Sequence, residues 1–141
     1  MRPERLEIVR GWISKSQSDL ETARLLIAGA SQHLDTGAYH CQQTAEKALK
    51  AFLAANGVIP PKTHDLVALL ELSAPFGEDL ATLRDAMALL NPLAVQFRYP
   101  GDQFEPTFSE ASQALHLAGD VFAVVSTVLT RLASEETQPP L

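Results

Sequence analysis

Cysteine is almost missing: Cys41 is the single one in 141 residues. That excludes a disulfide framework within the chain and a cysteine-histidine zinc site, and it makes a reducing cytoplasm the expected setting. Glycine is also sparse, at seven residues, and nowhere forms the glycine-rich loop that cradles phosphates or the elbow that exposes a nucleophilic serine. The four histidines, His33, His40, His64 and His116, are dispersed, and no Glu-x-x-His pair exists to build a di-metal bundle. No metal ion and no cofactor is therefore expected. Positive charge is short, with 11 Lys and Arg against 17 Asp and Glu and a net charge of −6. A protein that coats duplex DNA by general attraction is excluded on that ground, while a local basic site stays open. No apolar run approaches a bilayer span, and Met1-Arg2-Pro3-Glu4-Arg5 leads into an amphipathic pattern, so neither a signal peptide nor membrane contact is expected.

What is present is helical periodicity from end to end. Leu6, Val9, Ile13, Ser16, Leu20, Ala23, Ile27 and Ala30 alternate by three and four, which predicts a long first helix from Pro3 to Ala30. Asp35 or Thr36 is the expected cap of a second helix that stops at Asn56-Gly57, the pair most tolerant of left-handed backbone. Pro60-Pro61 keeps the next segment extended, and Thr63-His64-Asp65 opens a short helix carrying Leu66, Val67, Leu69, Leu70 and Leu72. Pro75 and Gly77 end it; a fourth helix starts near Glu78-Asp79, turns Leu80, Leu83, Met87 and Leu90 inward, and is interrupted at Asn91-Pro92.

Gln96 to Thr107 is irregular but holds Phe97, Tyr99 and Phe104, which predicts a segment packed on the bundle. The last helix, from about Ser109 to Leu132, repeats the seam through Ala111, Leu115, Ala118, Phe122, Val125, Leu129 and Leu132, with Phe108 leading in. The fold expected is all-α: an antiparallel up-and-down helical bundle of four main helices plus a short extra one, in one domain over residues 1–133, with 134–141 a frayed tail. A chain of this length buries about two thirds of its unfolded surface, so no staple is needed.

The stretch Tyr39 to Lys50 organises the rest. As a helix it places Cys41, Ala45, Ala48, Leu49 and Phe52 on an apolar side, while Tyr39, Gln43, Glu46 and Lys50 recur at spacings of four, three and four as a polar stripe flanked by His40 and Lys47. Such a stripe is a reading surface, a dimer interface or a solvated face, and spacing alone leaves these open.

Tyr39-His40-Cys41-Gln42-Gln43-Thr44-Ala45-Glu46-Lys47-Ala48-Leu49-Lys50-Ala51, followed by Thr63-His64-Asp65-Leu66, Asn91-Pro92 and Arg98-Tyr99-Pro100-Gly101-Asp102, resembles the HEPN family, the "higher eukaryotes and prokaryotes nucleotide-binding" domains, in their small stand-alone prokaryotic form. The resemblance covers nearly the whole chain. It implies a helical bundle that dimerises, is often encoded beside a minimal nucleotidyltransferase, and handles nucleotides or RNA. In the toxin branch it implies a metal-independent ribonuclease whose motif is an Arg and a His with four to six residues between them. This chain departs from that motif: Gln103, Phe104 and Glu105 stand where the histidine would, and the next histidine after Arg98 is His116.

No catalytic residue is therefore assigned, unless His64 or His40 reaches Arg98 through the fold or across a dimer. The binding residues expected are Lys47, Lys50, Lys62, His64, Arg98 and Tyr99. Arg98 offers a planar fork for phosphate and Tyr99 a face for a base. Tyr39, Gln43 and Glu46 are the expected homodimer interface. The readings carried forward are a nucleotide- or RNA-binding module working with a nucleotidyltransferase, a toxin-type ribonuclease with an altered site, and a purely structural dimer.

Overall fold

The structure is a computed structural model that describes residues 1–29, 32–95, 100 and 105–137. Among these the regular elements are all helical: α1 (Pro3–Ala28), α2 (Leu34–Ala55), α3 (Leu66–Ser73), α4 (Arg84–Leu90) and α5 (Phe108–Thr137), with 3-10 turns at Ala74–Phe76, Ala81–Leu83 and Asn91–Ala94. The expected all-α bundle is the fold observed. Three helices are long, and the short α3 and α4 fill the remaining side.

Direction follows from which residues meet. Gly37 sits against Ile27, the Thr44 carbonyl accepts from Ser16, Lys50 lies over the Trp12 ring, and Gly57 faces Arg5. Numbers rise on α2 as they fall on α1, so the two are antiparallel. Their crossing is close at Gly37, where a methyl would lie 2.6 Å from Ile27 Cγ1. Leu6, Val9 and Ile13 of α1 share a cleft with Leu129 and Ala133 of α5, while Ala38 of α2 shares one with Ala114 and Leu117. α5 thus runs against α1 and along α2. Arg131 and Asp79 form a two-pronged ion pair that ties the approach to α4 to the far end of α5, and the Asn91 carboxamide reaches back to Leu66 N–H and Asp65 at the start of α3.

The helix ends show local causes. Asp65 Oδ1 accepts from the Val67 and Ala68 N–H groups, a cap that contributes about 1 kcal/mol. Thr107 and Glu110 exchange hydrogen bonds across the first turn of α5, satisfying two donors that a helix start leaves without partners. These bonds, the Thr107 N–H foremost, hold the Glu110 carboxyl below its ordinary 4.5. Their contribution is present above that value and fades as pH falls through the depressed one. Gly57 and Gly77 take positive φ, +80° and +133°, where α2 and the turn after α3 stop.

Several sequence expectations shift. His33, not Asp35 or Thr36, is the cap position of α2, because the helix starts at Leu34 and the Asp35 carboxylate bonds the neighbouring Thr36 N–H instead. The fourth helix begins at Arg84, after a 3-10 turn, not at Glu78. Phe108 is exposed, at 54%, although the seam of α5 places it inward, and Leu72 is exposed, at 44%, because it lies off the face that buries Leu66, Leu69, Leu70 and Ser73. α5 continues to Thr137, past the predicted end at Leu132. By length and composition α5 is also apolar enough to cross a bilayer, contrary to the expectation of no such stretch. In the bundle its Ala111, Ala118, Val121, Val125 and Leu129 are buried as one face. Ala30 and most of the aromatic segment after Val95 lie outside the described residues.

Candidate functional site

α2 is the helix that every other one packs on, touching α1, α3, α4 and α5. A helix so placed has little outer face, so its polar side chains must find partners inside. Glu46 is 3% exposed. Its Oε1 accepts from His64 Nδ1 at 2.7 Å and from Gln43 Nε2 at 3.2 Å, and its Oε2 from Lys50 Nζ at 3.0 Å. Gln43 also donates to Gln42 Oε1, and Gln42 donates to the His64 carbonyl at 2.7 Å. Residue 64 is therefore held to α2 by its ring and by its backbone at once.

That geometry decides the ring's chemistry. With a carboxylate as acceptor, the proton of the neutral ring sits on Nδ1, and Nε2 is left with its lone pair. The imidazole is 74% exposed while the Glu46 carboxylate is 4% exposed. A buried anion thus orients a solvent-facing nitrogen, an arrangement suited to hydrogen bonding a phosphate or moving a proton. Lys50, 6% exposed, neutralises Glu46 and rests its Nζ 5.5 Å from the Trp12 ring centroid, a cation-π contact. Close pairing and added hydrogen bonds offset the desolvation of both charges.

A second cluster lies where α1 faces α2. Asp19 accepts from His40 Nδ1 at 2.8 Å on one oxygen and from Lys47 Nζ at 2.6 Å on the other. Buried Ser16 and Thr44 sit beside it, the first donating to the Thr44 carbonyl, the second to the His40 carbonyl.

Of the expected binding residues, Lys50 and His64 converge on one carboxylate, and Lys62 is exposed in the loop just before His64. Lys47 goes to the Asp19 cluster. Arg98 and Tyr99 lie outside the described residues. Gln43 and Glu46, expected to face a second copy, are buried and bonded within one chain, as is Lys50. Tyr39, the remaining member of that stripe, is half-buried and meets the His40 ring edge-on at 5.5 Å between centroids. Cys41 is buried, and loss of solvation pushes its thiol up to about 12, so it stays protonated as a small core group.

Trp12, Asp19, Gln42 and Asn91 had no place in the sequence-derived site. Gln42 sits within the quoted motif but beside the stripe, and Asn91 enters the sequence reading as a helix breaker with Pro92 and as part of the family resemblance, with no contact assigned to it. Trp12 and Asp19 are seven apart on α1 and so share a face, a signal that gains meaning only once α2 lies opposite. Among the described residues no group of His, Cys, Asp and Glu is placed to hold a metal ion.

The HEPN domain profile matches residues 9–128, most of the chain. This protein belongs to the HEPN family. The Methanocaldococcus jannaschii protein named "Putative toxin MJ1304" is 28% identical over 132 residues, a match covering 84% of this chain and 86% of that one. Among solved structures, TT1696 from Thermus thermophilus superposes with a TM-score of 0.71 at 27% identity, covering 84% of this HEPN chain and 96% of its own. ST0689, described as an archaeal HEPN homologue, superposes with a TM-score of 0.67 at 26% identity, covering 86% and 97% respectively. The profile's span runs from within α1 through most of α5, so both polar clusters lie inside the HEPN domain.

Proposed function

We propose that this HEPN chain is a nucleotide- or RNA-binding module of the cytoplasm, acting as a homodimer beside a minimal nucleotidyltransferase, with His64 and Lys62 meeting a ligand phosphate. The observation that carries the reading is the exposed His64 ring fixed by buried Glu46 at 2.7 Å, next to an exposed lysine. An imidazole held this way loses little freedom on binding, and Lys62 supplies charge on an otherwise acidic chain. Arg98 and Tyr99 are proposed to complete the contact.

The test is fluorescence anisotropy of a labelled single-stranded oligoribonucleotide, with nucleoside phosphates as competitors. Binding that falls with salt and weakens about tenfold in His64→Ala is expected, the size of one charge-assisted hydrogen bond. No binding at millimolar nucleotide, or equal affinity in His64→Ala and Arg98→Ala, would leave protein docking as the better role.

A second reading, a toxin-type ribonuclease, is favoured by the name of the Methanocaldococcus relative and by the oriented imidazole, which has the form of a general base. The residues after Arg98 lack the motif histidine, so intact RNA is the expected outcome of the same incubation. Cleavage that disappears in His64→Ala would put this reading first.

A further inference from the structure

The Asp19 cluster borders an open cleft of about 320 Å³ lined by Ser14, Lys15, Ser18, Asp19 and Lys47. We propose that this α1/α2 cleft is a phosphate-binding subsite, separate from His64, that takes a phosphate group either as the free ion or as part of an RNA backbone; the choice of RNA as a source rests on the binding function proposed above.

Ser14 and Ser18 stand one turn apart on α1, so their hydroxyls share a side of the helix. Neither hydroxyl has a hydrogen-bond partner among the described residues, and neither does the ammonium of Lys15 between them. Lys47 comes from the opposite wall. Its Nζ is fixed by Asp19 Oδ2 at 2.6 Å, which uses one of an ammonium's donors and leaves the others for a ligand. Asp19 is the one anion in the lining, and it is engaged on both oxygens, by Lys47 and by His40 Nδ1. Its carboxylate side chain is 10% exposed, so it acts as the brace of the cleft wall more than as a charge facing an incoming anion.

Lys15 and Lys47 outnumber Asp19, so the cleft is locally cationic in a chain whose net charge is −6. Two hydroxyl donors and two ammonium groups around a small volume match the acceptor oxygens of a phosphate. Glu46 and Lys47 are consecutive on α2, so the cleft and the His64 dyad are anchored on the same turn of one helix.

The probe is inorganic phosphate, titrated at matched ionic strength against chloride and followed by backbone amide NMR, with a short single-stranded RNA as the second arm. Phosphate is expected to shift the amides of Ser14, Lys15, Ser18 and Lys47, and Lys15→Ala or the double variant Ser14→Ala/Ser18→Ala to weaken this about tenfold. All these side chains except Lys47 and Asp19 are exposed on α1, so folding is not at stake and unchanged helical circular dichroism confirms it. RNA that shifts the same amides names the backbone as the source; phosphate shifts without RNA shifts name the free ion. Absence of phosphate shifts, or shifts equally strong in the variants, overturns the subsite. RNA binding lost in His64→Ala but untouched in Lys15→Ala, with no phosphate effect, would sink this inference and leave the His64 function standing.

Discussion

Glu46→Ala is expected to destabilise the protein by about 3–5 kcal/mol, because truncating one partner of a buried ion pair strands the other. The stranded group is the Lys50 ammonium, whose side chain is 8% exposed and whose partner oxygen at 3.0 Å would be gone. The same substitution also orphans Gln43 Nε2 in part and releases the His64 ring. Lys50→Met in the Glu46→Ala background replaces the bare ammonium with an apolar side chain and should restore much of the loss. Urea unfolding of the single and double variants measures this. A Glu46→Ala protein within about 1 kcal/mol of wild type would mean the pair is worth no more than a surface bridge, and that α2 is less enclosed than described.

Phe52→Ala should cost about as much, roughly 3–5 kcal/mol, through an empty volume instead of a bare charge. Phe52 is 2% exposed and is the largest fully buried side chain among the described residues, on the helix against which α1, α3, α4 and α5 all pack. Collapse into the cavity would need helices on several sides to move together, which close packing resists. For a domain of this size the loss corresponds to a melting temperature lower by about 10–17 °C. A fall of only a degree or two would show that the interior rearranges easily around α2. The contrast between the two variants is useful: adding Lys50→Met should rescue Glu46→Ala and leave Phe52→Ala unimproved.

Much of this architecture was written in apolar spacing. The seam of α1, with Val9, Leu20, Ala23 and Ile27 buried, and the face of α2 carrying Cys41, Ala45, Ala48, Leu49 and Phe52 are both as periodicity predicts. The stop at Asn56-Gly57 and the opening of the short helix at Thr63-His64-Asp65 are also where the turn and capping residues put them. The polar stripe of α2 was legible as a stripe but not as an interior. Periodicity reports the faces of one helix; it does not report that a loop eighteen residues on would bring His64 onto Glu46, or that Trp12 would close over Lys50. Partners from distant segments turn an apparently solvated face into a buried network. Phe108 failed in the opposite sense, in phase with the seam of α5 yet exposed as the first residue of that helix, whereas Leu72 is simply out of phase with the Leu66, Leu69, Leu70 and Ser73 face of α3.

The loop 56–65 gave the least signal for its importance. Its prolines announce an extended chain, yet the decisive fact is that Gln42 holds the His64 carbonyl and Glu46 the His64 ring. Local sequence fixes the loop's shape, and only tertiary contacts fix where its histidine points.

The central claim is that buried Glu46 orients an exposed His64 for ligand contact. Ring-nitrogen NMR of histidine tests it most directly, following Nδ1 and Nε2 of His64 at a pH where the ring is neutral, before and after adding short single-stranded RNA. The expected result is a proton on Nδ1, a shift of Nε2 when RNA binds, and loss of the Nδ1-protonated preference in Glu46→Gln. A neutral ring protonated on Nε2, or an Nε2 signal indifferent to RNA that binds elsewhere, would contradict the account.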